Sequence, residues 1–152
     1  MIQGKFLYGT EDLSKVWRIR KAVFCEEQGV PEKIERDSLD KQSIHVLVCD
    51  CKKEVATGRL YINDDFYKIG RVAVMKEERN QKYGDFVVRM LLDKAFTLGA
   101  KEVTLSAQYP VIGFYEKIGF RQSGEEYEEA GIVHLPMSIR KCQLCIECTK
   151  HR

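Results

Sequence analysis

The sequence predicts an α+β fold on a mixed, mostly antiparallel sheet flanked by helices, and three observations predict it. Short runs that are β-branched or alternate apolar with polar residues recur in both halves of the chain, as half-buried strands do. A longer run, Phe86 to Leu98, sets Phe86, Val87, Met90, Leu91 and Ala95 at helical spacing and stops at Gly99. That helix lies between an apolar strand, Lys68 to Val74, and an alternating one, Lys101 to Ala107. A strand–helix–strand crossover therefore sits among strands otherwise joined by short turns.

Gly4 to Tyr8 reads as the first strand. Thr10-Glu11-Asp12 is a helix N-terminal signal, with acidic residues suited to the first turn. Leu13, Val16, Trp17, Arg20 and Phe24 follow at helical spacing, and Gly29 and Pro31 end the helix. An acidic loop, Glu32 to Asp40, holds Glu35, Asp37 and Asp40 among basic residues. His45 to Cys49 and Val55 to Ile62 read as strands around a turn at Asp50 to Glu54, and Asn63-Asp64-Asp65 turns into Lys68–Val74. After the central helix and the Lys101–Ala107 strand, Pro110 stands where a first helical turn tolerates it. Val111, Phe114, Tyr115 and Ile118 fill that short helix, which Gly119 closes. Phe120 to Tyr127 and Gly131 to Ile139 form a last strand pair. The predicted order is β-α-β-β-β-α-β-α-β-β.

The 152 residues suit one domain, placed at 1–140, followed by a Cys-rich tail at 141–152. With 44% hydrophobic and 32% charged residues, the chain is ordinary for a soluble globular protein. A formal net charge of +2 is too small to argue for nucleic acid as a partner. The opening Met1 to Phe6 lacks the apolar core of a signal peptide, and no later run is long enough to span a bilayer. Six cysteines without an export signal point to reduced thiols in a cytoplasm.

Between the core strand and the central helix runs a short basic loop, Arg79-Asn80-Gln81-Lys82-Tyr83-Gly84-Asp85. Strand, tight loop and helix collect anions, because the first helical turn has unpaired N–H groups and the positive end of the dipole. Arg79 and Lys82 add charge, so a phosphate or pyrophosphate is the expected guest. Read locally, one glycine before a helix serves equally as an ordinary cap.

The segment Arg71-Val72-Ala73-Val74 … Arg79-Asn80-Gln81-Lys82-Tyr83-Gly84 resembles the acetyl-CoA-binding core of the GNAT N-acetyltransferase family, whose loop reads Arg/Gln-x-x-Gly-x-Gly/Ala. Lys82 stands where the first of those glycines belongs, and only Gly84 keeps its place. The likeness extends further, to the ElaA-like branch of that family. It covers Arg20-x-x-Val23-Phe24-x-x-Glu27-Gln28, Asp37-x-x-Asp40 with His45, Gly58-Arg59-Leu60 and Ile69-Gly70-Arg71-Val72. Ala107-Gln108, Phe114-Tyr115-x-x-x-Gly119-Phe120 and Gly131-Ile132-x-His134-x-x-Met137 complete it.

The resemblance implies an acetyl-CoA-dependent N-acetyltransferase that moves an acetyl group to a small-molecule primary amine by direct transfer in a ternary complex. Acetyl-CoA would lie along Val72, Ala73 and Val74 and the loop Arg79–Asp85. Val72–Val74 also reads as a plain buried strand. Tyr115 is the implied acid, since a phenol with pKa about 10 returns a proton to a thiolate; Phe114-Tyr115 also suits core packing. Glu27, Gln28, His45, Gln108 and His134 are the expected acceptor-binding residues; Glu27, Asp37, His45 and His134 are the candidate bases, with Gln108 a polar orienting group. Glu27-Gln28 reads equally as a solvated helix end, and a lone His at a strand end as a structural hydrogen-bonder. Dimers are common in similar proteins, so a homodimer is among the expected partners.

The tail, Cys142-x-x-Cys145-x-x-Cys148-x-x-His151, has metal-ligand types at regular spacing. It lacks the two separated pairs of common zinc sites, so free thiols are the favoured reading and metal the alternative. Two other functions compete. One is an acyl-CoA-binding sensor that has lost turnover, suggested by Lys82. The other is a metal- or redox-responsive module built on the tail. Within acyl transfer, an acyl-homoserine-lactone-type synthase resembles Arg20–Asp40 faintly.

Overall fold

The computed structural model describes residues 1–129 and 131–141. Eight strands, β1 (Ile2–Tyr8), β2 (Ser43–Asp50), β3 (Lys53–Asn63), β4 (Phe66–Val74), β5 (Glu102–Gln108), β6 (Arg121–Gln122), β7 (Tyr127–Glu129) and β8 (Ile132–Arg140), form one sheet in the order β1-β2-β3-β4-β5-β8-β6, with β7 also paired to β8. The first four make an antiparallel meander. Its two-residue turns use left-handed residues: Cys51 and Lys52, at φ 50° and 70°, after β2, and Asp64, at φ 53°, after β3. From β4 the chain crosses through α3 (Tyr83–Thr97) to β5, which runs parallel to β4. A 3-10 turn and α4 (Ile112–Ile118) then lead to β6, β7 and the return strand β8. The predicted mixed, mostly antiparallel sheet with flanking helices is present.

Helices cover both faces of that sheet. On one, Val87, Val88, Leu91, Leu92 and Ala95 of α3 pack against Val46, Val48, Ala56 and Leu60. On the other, α1 (Ser14–Arg20) continues into a π-helical segment, Lys21–Glu27, and packs with Leu13, Val16, Ile19 and Val23 on Leu47 and Ala73. Ser43 through Val48 on β2 are consequently all buried, as a strand covered on both sides must be. At Gly58, α3 approaches so closely that a Cβ would lie 2.5 Å from Val87 Cγ1.

Three elements differ from expectation. The acidic loop is partly ordered, into α2 (Glu32–Glu35) and a 3-10 turn at Ser38–Gln42. The predicted Phe120–Tyr127 strand is broken into β6 and β7. The break faces Pro136 of β8, which has no N–H to offer: Ser123 N donates to Pro136 O at 2.9 Å and the ladder then lapses until Tyr127 meets His134. Finally, α3 starts at Tyr83, three residues before the apolar stripe does.

Candidate active site

The site begins with an irregularity in β4. Thr57 pairs with Ala73 and Arg59 with Gly70, so Gly58 alone faces both Arg71 and Val72. Arg71 takes φ 50° to make this bulge. A bulge bends its strand and sharpens its twist, and here β4 and β5 share a single register pair, Lys68 with Thr104. Past that pair the strands part. Val72–Val74 therefore have no register partner on β5, where an interior strand would normally find a neighbour.

The foot of this opening is the N-terminus of α3. Asn80 and Lys82, at φ 68° and 67°, fold the loop tightly before the helix. Phe86 N donates to Lys82 O at 3.1 Å, so the N–H groups of Tyr83, Gly84 and Asp85 precede the first helical hydrogen bond and point out of the helix end. Lys82 thus holds a left-handed conformation that a glycine would adopt without strain. A Cβ on Gly84 would lie 3.5 Å from Val74 Cγ2 and 3.6 Å from Phe114 Cζ. Gly84 therefore sits where the end of β4, the start of α3 and α4 meet.

Side chains in this loop divide. Tyr83 turns its ring into the core, and its hydroxyl donates to Asp50 Oδ2 at 2.5 Å, a bond that pushes the phenol up to about 12. Only its main chain remains for an anion. Asp85 is paired with Arg89 at 2.9 Å, which offsets its charge at the helix end. Asn80, Gln81 and Lys82 are exposed. Arg79 grips Glu27 with both arms, Nη1 to Oε2 at 2.7 Å and Nη2 to Oε1 at 2.6 Å, while its Nε donates to Val74 O at 3.2 Å. Those hydrogen bonds raise the guanidinium's pKa and lower the carboxyl's. The residue expected at the diphosphate and one expected at the acceptor are thus bonded to each other.

Tyr115, on α4, packs against the core between Phe114 and Phe120, with edge-on ring contacts of 4.9 and 5.8 Å. Burial pushes its phenol up to about 12, so it keeps its proton at neutral pH. Gln108 ends β5 directly opposite His134 on β8. His134 stacks on Tyr127 at 5.4 Å, its Nδ1 lies 2.9 Å from Ile132 O, and Tyr127 Oη donates to Ser106 Oγ at 2.7 Å. These residues share one polar wall, whereas Gln28 lies at the end of the π-helical segment beside Glu27.

His45 is a correction. It is wholly enclosed, with Nε2 3.0 Å from Asp40 O and Nδ1 without a partner among the described residues. Burial lowers its pKa, and it has no surface to offer a substrate. It supports an ionic cluster that joins α1, the acidic loop and the sheet. Arg20, fully buried, pairs with Glu35 and, at 2.8 Å, with Asp40. Arg59 reaches Asp37 at 2.7 Å and Asp40 at 3.0 Å. Arg71 Nε donates to Glu35 O at 3.2 Å and Nη2 lies 3.3 Å from Asp37. Burial opposes the charge on Asp40, but Arg20 and Arg59 outweigh it and hold the carboxyl below its ordinary value. For Arg71, burial and then the neighbouring Arg59 and Arg20 lower the pKa. The cluster ties the bulge of β4 to the acidic loop, and Asp37 is committed to it. Sequence reading missed it, although an Arg inside the apolar spacing of α1 was a signal for a buried, paired guanidinium.

Among the described residues no group of three His, Cys, Asp or Glu side chains is placed to hold a metal. Cys51 lies in the β2–β3 turn and Cys49 in β2, both as free thiols. Cys142, Cys145, Cys148 and His151 lie outside the described residues. No helix among the described residues is long and apolar enough to cross a membrane.

A sheet parted beside a helix N-terminus defines a class, and the chain belongs to it: the model of the GNAT acetyltransferase domain matches residues 8–141, which makes this a GNAT-family acetyltransferase. Among particular relatives, it is 37% identical over 128 residues to the uncharacterized N-acetyltransferase YjcF of Bacillus subtilis, covering 84% of this chain and 91% of that one. It is 33% identical over 147 residues to protein ElaA of Escherichia coli, with 91% and 96% covered. The crystal structure of Escherichia coli ElaA superposes with a TM-score of 0.82 at 30% identity, covering 91% of this chain and 99% of that one. A GNAT-family acetyltransferase from Elizabethkingia anophelis with acetyl-CoA bound shares the fold at a TM-score of 0.71 and 16% identity, with 91% and 97% covered.

Proposed function

We propose that the protein is an acetyl-CoA-dependent N-acetyltransferase acting on a primary amine of a small molecule in the cytoplasm, by direct transfer in a ternary complex. What supports this reading is the single β4–β5 pairing at Lys68 and Thr104 together with the contact between the end of β4 and the start of α3 at Gly84. Acetyl-CoA supplies the acyl carbon and a thiolate leaving group. N–H groups of Val72–Val74 anchor the pantetheine arm and polarise the thioester carbonyl. N–H groups of Tyr83, Gly84 and Asp85, with Arg79 and Lys82, receive the diphosphate.

Glu27, Gln28, Gln108 and His134 line the acceptor's side. The amine gives up its proton through water and its nitrogen bonds the acyl carbon as the carbon–sulfur bond breaks. Tyr115 is the proposed donor of the proton that the departing sulfur takes up; the burial that pushes its phenol up to about 12 makes it a weaker acid than a free phenol, so the role rests on its place on α4 beside Phe114 and not on its acidity. No residue becomes acylated.

Thiol release from acetyl-CoA across an amine panel tests the reading. Tyr115→Phe is expected to lower kcat roughly 100-fold, at the low end of general-acid effects, with acetyl-CoA affinity unchanged. Undiminished turnover when chemistry is rate-limiting would remove Tyr115 as the acid. Tight acetyl-CoA binding without thiol release on a broad panel would make the protein a binding module.

A further inference from the structure

Resting on that reading, we infer that Glu27 is a subsite for a cationic acceptor and that Arg79 occupies it until cofactor binding draws the guanidinium away. The protein would then offer its ammonium site only when loaded with acetyl-CoA. Glu27 is the last residue of the π-helical segment, directly before Gln28 and the turn at Gly29, where the chain enters the acidic loop. Arg79 opens the loop before α3. Their two-armed bond joins the acceptor's side of the cleft to the diphosphate's side.

The bond is built to be exchanged. Both side chains are about one-third exposed, 37% for Arg79 and 31% for Glu27, so water and salt weaken the pair. A diphosphate offers the same planar fork more charge than one carboxylate does. It would also be held from beneath by the N–H groups of Tyr83, Gly84 and Asp85, which Glu27 does not engage. The Nε bond to Val74 O, at 3.2 Å, places Arg79 at the end of the strand proposed to carry the pantetheine, and because Nε belongs to the same planar guanidinium, that bond is given up together with the Glu27 pair when the side chain swings to the diphosphate. Once released, Glu27 is left with Lys76 as its other cationic influence. A protonated amine then supplies the charge that Arg79 has withdrawn.

The sign of one measurement decides it. Calorimetry of acetyl-CoA binding to the wild type, Glu27→Gln, Arg79→Gln and the double variant is expected to show that Glu27→Gln binds about two- to fivefold more tightly, since a competitor for Arg79 is gone. Arg79→Gln binds more weakly, and Glu27→Gln has no further effect in that background. With the amine that scores in the panel, Glu27→Gln raises the acceptor's KM several-fold. It also relaxes an acetyl-CoA-first order of addition to a random one. Equal or weaker acetyl-CoA binding by Glu27→Gln, or tightening that persists without Arg79, overturns the inference and leaves the proposed activity standing. No acetyl-CoA binding by the wild type defeats the activity itself, and the inference with it.

Discussion

Arg20→Met probes the ionic cluster with few complications, because Met keeps much of the side chain's length and removes its charge. Arg20 is 0% exposed, and Glu35 and Asp40 beneath it are 3% and 7% exposed. After the substitution Asp40 still has Arg59 at 3.0 Å, but Glu35 is left with Arg71 at 3.5 Å. An under-compensated buried carboxylate costs about 3–5 kcal/mol, a drop in Tm of roughly 6–20 °C for a chain of this size. Urea unfolding followed by circular dichroism measures it directly. Adding Glu35→Gln to Arg20→Met removes the stranded charge, so the double variant is expected to recover about half of the loss. The effect also depends on acidity. The carboxyl of Asp40 titrates below its ordinary value of 3.8, so its share of stability is complete above that value and disappears as pH falls through the lower, folded one. A loss under about 1 kcal/mol for Arg20→Met, or a double variant no more stable than the single, would refute a cluster held by charge compensation.

Gly84→Ala is expected to fold normally and bind acetyl-CoA, since its Cβ meets Val74 and Phe114 at ordinary contact distances of 3.5 and 3.6 Å. Gly84→Val adds branches beyond a Cβ already in contact with Val74 and Phe114, crowds the loop and should lose acetyl-CoA binding; wild-type affinity would contradict the anchor at α3. Lys82→Gly retains the φ of 67° without strain and should weaken acetyl-CoA binding several-fold at low ionic strength, with the difference shrinking in salt. A salt-independent loss would show that Lys82 acts by shape. His45 has a folded pKa below its ordinary 6.5, so the unfolded chain takes up its proton first and stability falls as pH drops from 6.5 toward the folded value. His45→Gln should lose that component, seen as a Tm that falls less between neutral and mildly acidic buffer; an unchanged acid slope would discount it.

Strands with clean alternation were legible. Val103, Leu105 and Ala107 are buried on β5 while Glu102, Thr104 and Ser106 are not, as the pattern of that segment requires. The apolar stripe of α3 was equally plain, but its start was not, because a lysine at 82 adopts the turn conformation usually marked by glycine. The bulge at Arg71 leaves no local trace: Gly70 beside it has an unexceptional backbone, and the irregular residue is an arginine held by contacts from Ile34 to Asp37. His45 misled because its type suggests chemistry, whereas its neighbours from Ser43 to Val48 all being apolar, small or β-branched suggested a strand covered on both faces. Arg79 and Glu27, 52 positions apart in the sequence, could be linked only by the fold.

The single pairing of Lys68 with Thr104 gives the sheet a third border, in its interior. Outer borders of sheets are commonly blunted by lysines, prolines or short strands, but this one must stay receptive, and the valines of β4 keep it apolar. In cofactor-free preparations it offers a seam for an intruding segment to stitch onto. On the proposed function, coenzyme A in the buffer is expected to shield that seam and lower association of the purified protein; equal association with and without it would show that the seam is not exposed.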